Sequence, residues 1–358
     1  MYDLFSDGVG DLVVAGAGMV SLTFHGGAVT PSVERRSRAT PPMGQEATRD
    51  RLPGYELLIR PRIHIPRMTD APRMPHLNRF FSVTLVLTVL SASLGAFMVE
   101  QRDPAVTDLA VEGAPGGIVF IADPHVREEN LPLINETIRE INEMHPSLVL
   151  IGGDFVFGGD DDLGLQSVWS ELDAPTYAIL GNHDYRSGDT ATTLVKKLTQ
   201  IRQARVSAAD YDLGSLDDGT ADVAYADRVS AALEANGVHV LRNQVVDLEI
   251  DGQPVRLVGF DDGWAGRASP PALEPTDAFT IYLIHEPDCA APWDADLILA
   301  GHTHGGQFLP AGVADRLGLS GRSACGDAVM YVTRGIGTSN LPREIRATPP
   351  EIVRIVSG

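Results

Sequence analysis

The sequence predicts an α/β fold built on a largely parallel sheet, and two observations predict it. Beyond residue 117, strand-like and helix-like segments alternate, which is the pattern of βαβ units. Five short apolar runs in the same region each end in residues that carry oxygen or nitrogen donors. Strands that deliver ligands to the crevice beyond the carboxyl ends of an open sheet look like this, even when their ends lie far apart in sequence.

Ile118 to Ala122 is an uninterrupted apolar run of strand length that leads into Asp123, Pro124 and His125. Over about 131–144, Leu133, Ile134, Ile138, Ile141 and Met144 share one helical face, while Glu136, Arg139, Glu140 and Glu143 are left to water. Leu148 to Ile151 then leads into Gly152, Gly153 and Asp154, and a helix is expected over 162–172. A strand over 176–180 runs into Gly181, Asn182, His183 and Asp184. Residues 191–236 have a mostly helical pattern, with an acidic stretch from Asp210 to Asp227 expected as a surface insertion. Strands follow over 238–241, 245–250 and 254–260, the last two joined by Asp251 and Gly252, a hairpin turn signal. A strand over 280–284 ends at His285, and one over 296–300 runs into Gly301, His302, Thr303, His304, Gly305, Gly306 and Gln307. Strand pieces over 329–333 and 351–356 close the chain.

The part before this domain is of a different kind. Gly, Pro and Arg interrupt every apolar run up to residue 79, which marks 1–79 as a disordered tail or an over-extended start. Gly16 and Gly18 lack the third glycine and the acidic partner of a dinucleotide-binding loop. Phe80 to Val99 is 20 residues without a charge, preceded by Arg67, Arg73 and Arg79 and followed by Glu100 and Asp103. Its length and charge asymmetry predict a transmembrane anchor or signal peptide over 80–99, with the following domain on the extracytoplasmic side or exported. A polar linker is expected over 100–116, and the globular domain over 117–358.

Charge narrows the partners. The net charge is -20, and 10 basic against 8 acidic residues precede residue 80, leaving 18 basic and 40 acidic beyond it. Such a surface repels a phosphate backbone, so nucleic acid is not an expected partner. A phosphorylated substrate would need bound cations to supply the missing positive charge. Cys289 and Cys325 form no C-x-x-C motif, so a thiolate metal site is not expected, while a single disulfide stays open.

Collected, the strand ends supply Asp123, His125, Asp154, Asn182, His285, His302 and His304. Seven O and N donors exceed one tetrahedral or octahedral site and suit two metal ions with one carboxylate shared. His183 is a candidate to protonate a leaving alkoxide, since an imidazole can both take and give a proton, and Asp184 beside it is the expected partner for its ring. The nature of the donors admits Mn, Fe or Zn.

In order and kind these blocks resemble the five-block signature of the calcineurin-like metallophosphoesterases. The resemblance spans about 117–357 and implies a two-sheet αββα sandwich. It implies one metal on Asp123, His125, Asp154 and His304, a second on Asp154, Asn182, His285 and His302, and catalysis assisted by His183. The stretches Gly335 to Pro342 and Pro350 to Ile352 are similar to a membrane-associated bacterial branch of predicted phosphohydrolases. The expected function is hydrolysis of a phosphodiester or diphosphate, small or lipid-linked, by metal-activated water. A non-catalytic interaction protein of the same fold and a cytosolic nucleotide phosphatase are the alternatives. Pro124 departs from the family pattern and stiffens the link between Asp123 and His125. Arg186 and Tyr185 stand where they could touch a substrate phosphate.

Overall fold

Fully apolar strands need cover on both faces, and among the described residues two six-stranded sheets cover one another. The computed structural model describes residues 103–157, 162–187, 206–338 and 346–358, with Thr84 and Thr88. The chain divides into two units, Met1–Ala71 and Pro72–Gly358, of which the first lies outside the described residues. So do the tail expected over 1–79 and the hydrophobic run over 80–99, apart from Thr84 and Thr88, which are helical and exposed. Among the described residues no helix is long and apolar enough to cross a membrane.

The first sheet is built from β1 (Ala105–Val111), β2 (Ile118–Ile121), β3 (Leu148–Ile151), β4 (Thr176–Ala178), β5 (Val238–Val240) and β12 (Glu351–Ser357), in the order β1-β12-β2-β3-β4-β5. The second contains β6 (Gln244–Ile250), β7 (Gln253–Gly259), β8 (Phe279–Leu283), β9 (Leu297–Ala300), β10 (Gly321–Cys325) and β11 (Ala328–Val332), in the order β10-β11-β9-β8-β7-β6. From β2 to β5 the pairing is parallel, as it is from β7 through β8 and β9 to β11. All the donor-bearing loops therefore leave from the same end of the sandwich.

Phe120, Leu148, Leu150 and Ile179 from one sheet meet Val255, Leu257, Ile281, Leu283, Leu297 and Leu299 from the other in the central core. On the outer face of the first sheet, α1 (Leu131–Glu143) lays down Ile134, Ile138 and Ile141, and α2 (Val223–Glu234) lays down Tyr225, Val229 and Leu233. Pro at the start of α1 presets φ where no helical N–H is needed, and His145 beyond its end holds φ 49°, the left-handed conformation that closes helices.

Four expectations change. Residues 105–111 are a strand and not part of a linker: β1 pairs with β12 in parallel along its whole length, burying Leu109 and Val111. Its signal was weak because an edge strand buries few residues, and most of β1 stays in partial contact with water. The helix expected over 162–172 is a 3-10 helix, Leu163–Glu171, capped by Asp162, which accepts from the Gly164 N–H. The stretch 206–222 is mostly irregular and not helical, and it does not stand off as an insertion. Leu213 and Leu216 are buried with Phe260, Trp264 and Trp293 over the outer face of the second sheet. Among the described residues that face is therefore covered by loops and 3-10 turns where the αββα expectation had helices. Cys289 and Cys325 are both free.

Candidate metal centre

Strand ends bring the predicted donors together as two groups that share a residue. One ligand atom each from Asp123, His125, Asp154 and His304 lies within 4.8 Å of the others, and so do atoms from Asp154, His285 and His302. Asp154 belongs to both. Its Oδ2 lies 3.6 Å from His125 Nε2 on one side and 3.2 Å from His285 Nε2 on the other. Asn182 joins the second group, with Oδ1 2.9 Å from His302 Nδ1 and its amide donating to the Ser187 carbonyl at 2.6 Å.

The tautomers follow from the partners. His125 Nδ1 faces the Val156 carbonyl at 2.9 Å, His304 Nδ1 the Gly337 carbonyl at 3.2 Å, and His285 Nδ1 the Gly152 carbonyl at 2.6 Å. A carbonyl only accepts, so each Nδ1 carries a hydrogen, and on the neutral rings of His125 and His304 the Nε2 is left with a bare lone pair. His125 Nε2 and His304 Nε2 then face each other at 3.1 Å. Burial holds His125 well below the usual histidine range and pushes His304 down to about 3, so a shared proton does not relieve the opposition. Asp123 Oδ2 and His285 Nε2 are buried without a hydrogen-bond partner. Burial would lower His285, yet the Asp154 and Asp123 carboxylates outweigh it and draw positive charge to the ring. Opposed lone pairs, orphaned donor atoms and two carboxylates are the environment of a cation, and the residues present fit metal ions on both sides of Asp154.

The backbone is strained to achieve this. Asp123, His125, Asp154, His302 and His304 all hold positive φ, between 42° and 72°. Each such residue costs roughly 1–3 kcal/mol, which is tolerated where surrounding contacts over-determine the conformation. Asp123 does so directly before Pro124, a position that normally holds extended backbone. Gly153, at φ 92°, lets the loop pass so close that a Cβ there would stand 2.7 Å from the Gly181 nitrogen.

His183 is at the rim, half-buried, with its N–H donating to Asp154 Oδ1 at 2.9 Å and its Nδ1 to the Phe157 carbonyl at 2.5 Å. Asp184 does not orient that ring. Its Oδ2 accepts from the N–H groups of Asp154 (3.0 Å) and Gly181 (2.9 Å), and its Oδ1 from those of Phe155 (2.9 Å) and Val156 (3.1 Å). The sequence puts Asp184 beside His183, but a tight turn from Gly181 to Ser187 points the two side chains apart. Burial and the Asp154 charge push the Asp184 carboxyl up to about 7, against the pull of the surrounding N–H groups. Four donors aimed at two oxygens leave no acceptor for a carboxyl proton, so the geometry holds the ionised form. Tyr185 and Arg186 do not reach the centre either. Tyr185 is buried with its hydroxyl 2.6 Å from Asp261 Oδ1, and Arg186 pairs with Asp222 at 3.2 Å over the Tyr225 ring.

Three further residues shape the site. Arg346 is buried and donates to the carbonyls of Arg334, Gly335, Ile336, Gly337 and Thr348, and so fixes the loop whose Gly337 carbonyl holds His304. Glu351 accepts from Thr107, Tyr331, Thr333 and the Arg334 N–H, tying the starts of β1 and β12 to the same loop. Trp264 sets its ring edge-on to His302, with centroids 4.4 Å apart. The first two lie in the closing run of Gly335 to Ile352, where Arg346 and Glu351 follow no donor-bearing strand end and so gave no signal of a role at the site.

Comparison with known proteins follows the same region. The family model described as calcineurin-like phosphoesterase matches residues 117–306. Phosphodiesterase YaeI of Escherichia coli K12 is 31% identical over 243 residues, covering 63% of this chain and 76% of that protein. The uncharacterized metallophosphoesterase YkuE of Bacillus subtilis is 28% identical over 255 residues, covering 65% and 76%. The uncharacterized protein YpbG of Bacillus subtilis is 26% identical over 261 residues, covering 68% and 82%.

Proposed function

The chain belongs to the calcineurin-like phosphoesterase family and is a metal-dependent phosphoester hydrolase, and from that premise we propose that it cleaves a phosphodiester or diphosphate at a centre of two metal ions. Asp123, His125, Asp154 and His304 would hold one ion; Asp154, Asn182, His285 and His302 would hold the other. The observation that carries this reading is the pair of bare Nε2 atoms opposed at 3.1 Å beside a carboxylate that serves both groups. Bound there, two cations supply Lewis-acid polarisation of the phosphoryl group and activation of water. Mn, Fe and Zn all accept these donors.

The chain's own groups do the rest. His183 has committed Nδ1–H to the Phe157 carbonyl, so Nε2 is the atom that exchanges a proton with substrate. Protonated there, it donates to the leaving alkoxide. Asp184, the second residue assigned to catalysis from sequence, acts by holding the Asp154 and Gly181 loops at their separation. The acidic surface directs the substrate class toward small or lipid-linked phosphoesters and away from nucleic acid. We place the domain on the extracytoplasmic side of the membrane, tethered by the uncharged run over 80–99.

The test is turnover of a chromogenic phosphodiester and its monoester by the full chain, stripped of metal and supplied with Mn, Fe or Zn. Metal-restored turnover favouring the diester is expected. His183→Ala should lower kcat about 10²–10⁴-fold, the usual worth of a positioned acid, with little change in KM. A folded, metal-loaded protein without turnover on either ester would refute the reading.

A further inference from the structure

Large apolar side chains left in water are few here, and they are not scattered. Among the described residues the exposed ones are Val106 (44%), Phe308 (46%), Val313 (41%) and Leu317 (61%). Three of the four fall within one segment that follows His304 directly. That segment contains α3 (Ala311–Arg316), whose inward residue is the buried Ala314. Val313 and Leu317, four apart, are neighbours on its exposed side.

The topology places this segment at the metal-centre end. It leaves from the carboxyl end of β9 and returns into β10, which pairs antiparallel with β11, itself parallel to β9. The same end receives the chain from its N-terminal side. β12 runs antiparallel to β2, so Glu351 lies where β2 delivers Asp123, and β1 is parallel to β12 with Ala105 opposite Glu351. Arg334 links the two features, pairing with Glu351 at 2.8 Å, while a Cβ at Gly305 would stand 2.9 Å from its side chain.

Only five residues separate Val99, the last of the uncharged run, from Ala105, and the six Cα–Cα steps between them span about 20 Å at full extension. A domain of this length measures roughly 45 Å across. The end that starts β1 must therefore be the end held against the bilayer. We infer that the domain docks its metal-centre end on the lipid bilayer, with Phe308, Val313 and Leu317 entering the interfacial region. This inference rests on 80–99 being membrane-embedded. An acidic domain is repelled by anionic head groups, so the contact is apolar and not electrostatic.

The experiment uses the full chain reconstituted into phosphatidylcholine vesicles with or without brominated acyl chains. Tryptophan is introduced singly by Phe308→Trp, Leu317→Trp and, as a control in the β6–β7 hairpin at the opposite end, Gln253→Trp. The emission added at 308 and 317 should fall by half or more in brominated vesicles and resist aqueous iodide, while that at 253 should do neither. Phe308→Asp with Leu317→Asp should abolish protection of a tryptophan placed at 313 and leave turnover of a soluble diester unchanged. A chain that does not float with the vesicles overturns the inference together with the tether. A chain that floats, but whose tryptophans at 308 and 317 escape the bromines, overturns the docking alone. Protection from iodide without bromine quenching means that protein, a second copy or the N-terminal segment, covers the face, and it refutes the bilayer as occupant.

Discussion

At the scale of single residues, the histidines of the centre are held by carbonyls and the carboxylates by N–H groups, and the two devices fail differently when altered. Asp184 shows the second. It accepts four backbone N–H groups from two loops, and an amide in its place turns an NH2 toward two of them. Each unsatisfied buried donor costs about 1–3 kcal/mol, so Asp184→Asn should destabilise the fold by about 2–5 kcal/mol. For a domain of this size that is a Tm lower by roughly 5–15 °C, read by calorimetry. The pH profile of kcat should keep its shape, because the His183 ring is held by Phe157 and not by Asp184. A profile displaced at unchanged Tm would restore Asp184 as the partner of that ring. The donors themselves were legible in the sequence, since each follows an apolar strand. What Asp184 binds was not, because adjacency in a tight turn does not fix the direction of a side chain.

Between the residue and the fold stand the loops and edge strands. Arg346 donates to five carbonyls around residues 334–348, and through Gly337 it sets the position of His304. Arg346→Lys keeps the charge but not the planar fork, and cannot satisfy those carbonyls. It should weaken metal binding about 10–100-fold, the usual effect of losing a partner behind a ligand, as read by titration with Mn followed by electron paramagnetic resonance. Unchanged affinity would show that the loop holds itself. Strands β2, β3, β8 and β9 were legible because both faces are covered and the sequence is apolar but for Thr280. β1 and β10 were not. Residues 321–325 are mostly exposed, and in β1 only Leu109 and Val111 are buried, so neither edge strand carries a full hydrophobic signal. The 3-10 helix Leu163–Glu171 was assigned the wrong geometry because its apolar residues satisfy either period.

For the whole molecule, the strain at five donor positions and the opposed lone pairs at the centre mean that part of its stability resides in the ions it binds. A ligand present at about 100 times its Kd adds about 2.7 kcal/mol per site to the folded state. Restoring metal to the stripped protein should therefore raise Tm by roughly 5–10 °C for each ion bound, and chelation should reverse it. A Tm indifferent to metal would mean that the loops are held without cations. The most direct measurement is metal content per chain. Elemental analysis of the purified protein should give about two equivalents, and Asp154→Asn should lose metal from both positions while the protein remains folded, because that carboxylate serves both groups. A single equivalent in the unaltered chain, or full retention by Asp154→Asn, would contradict the shared two-ion centre.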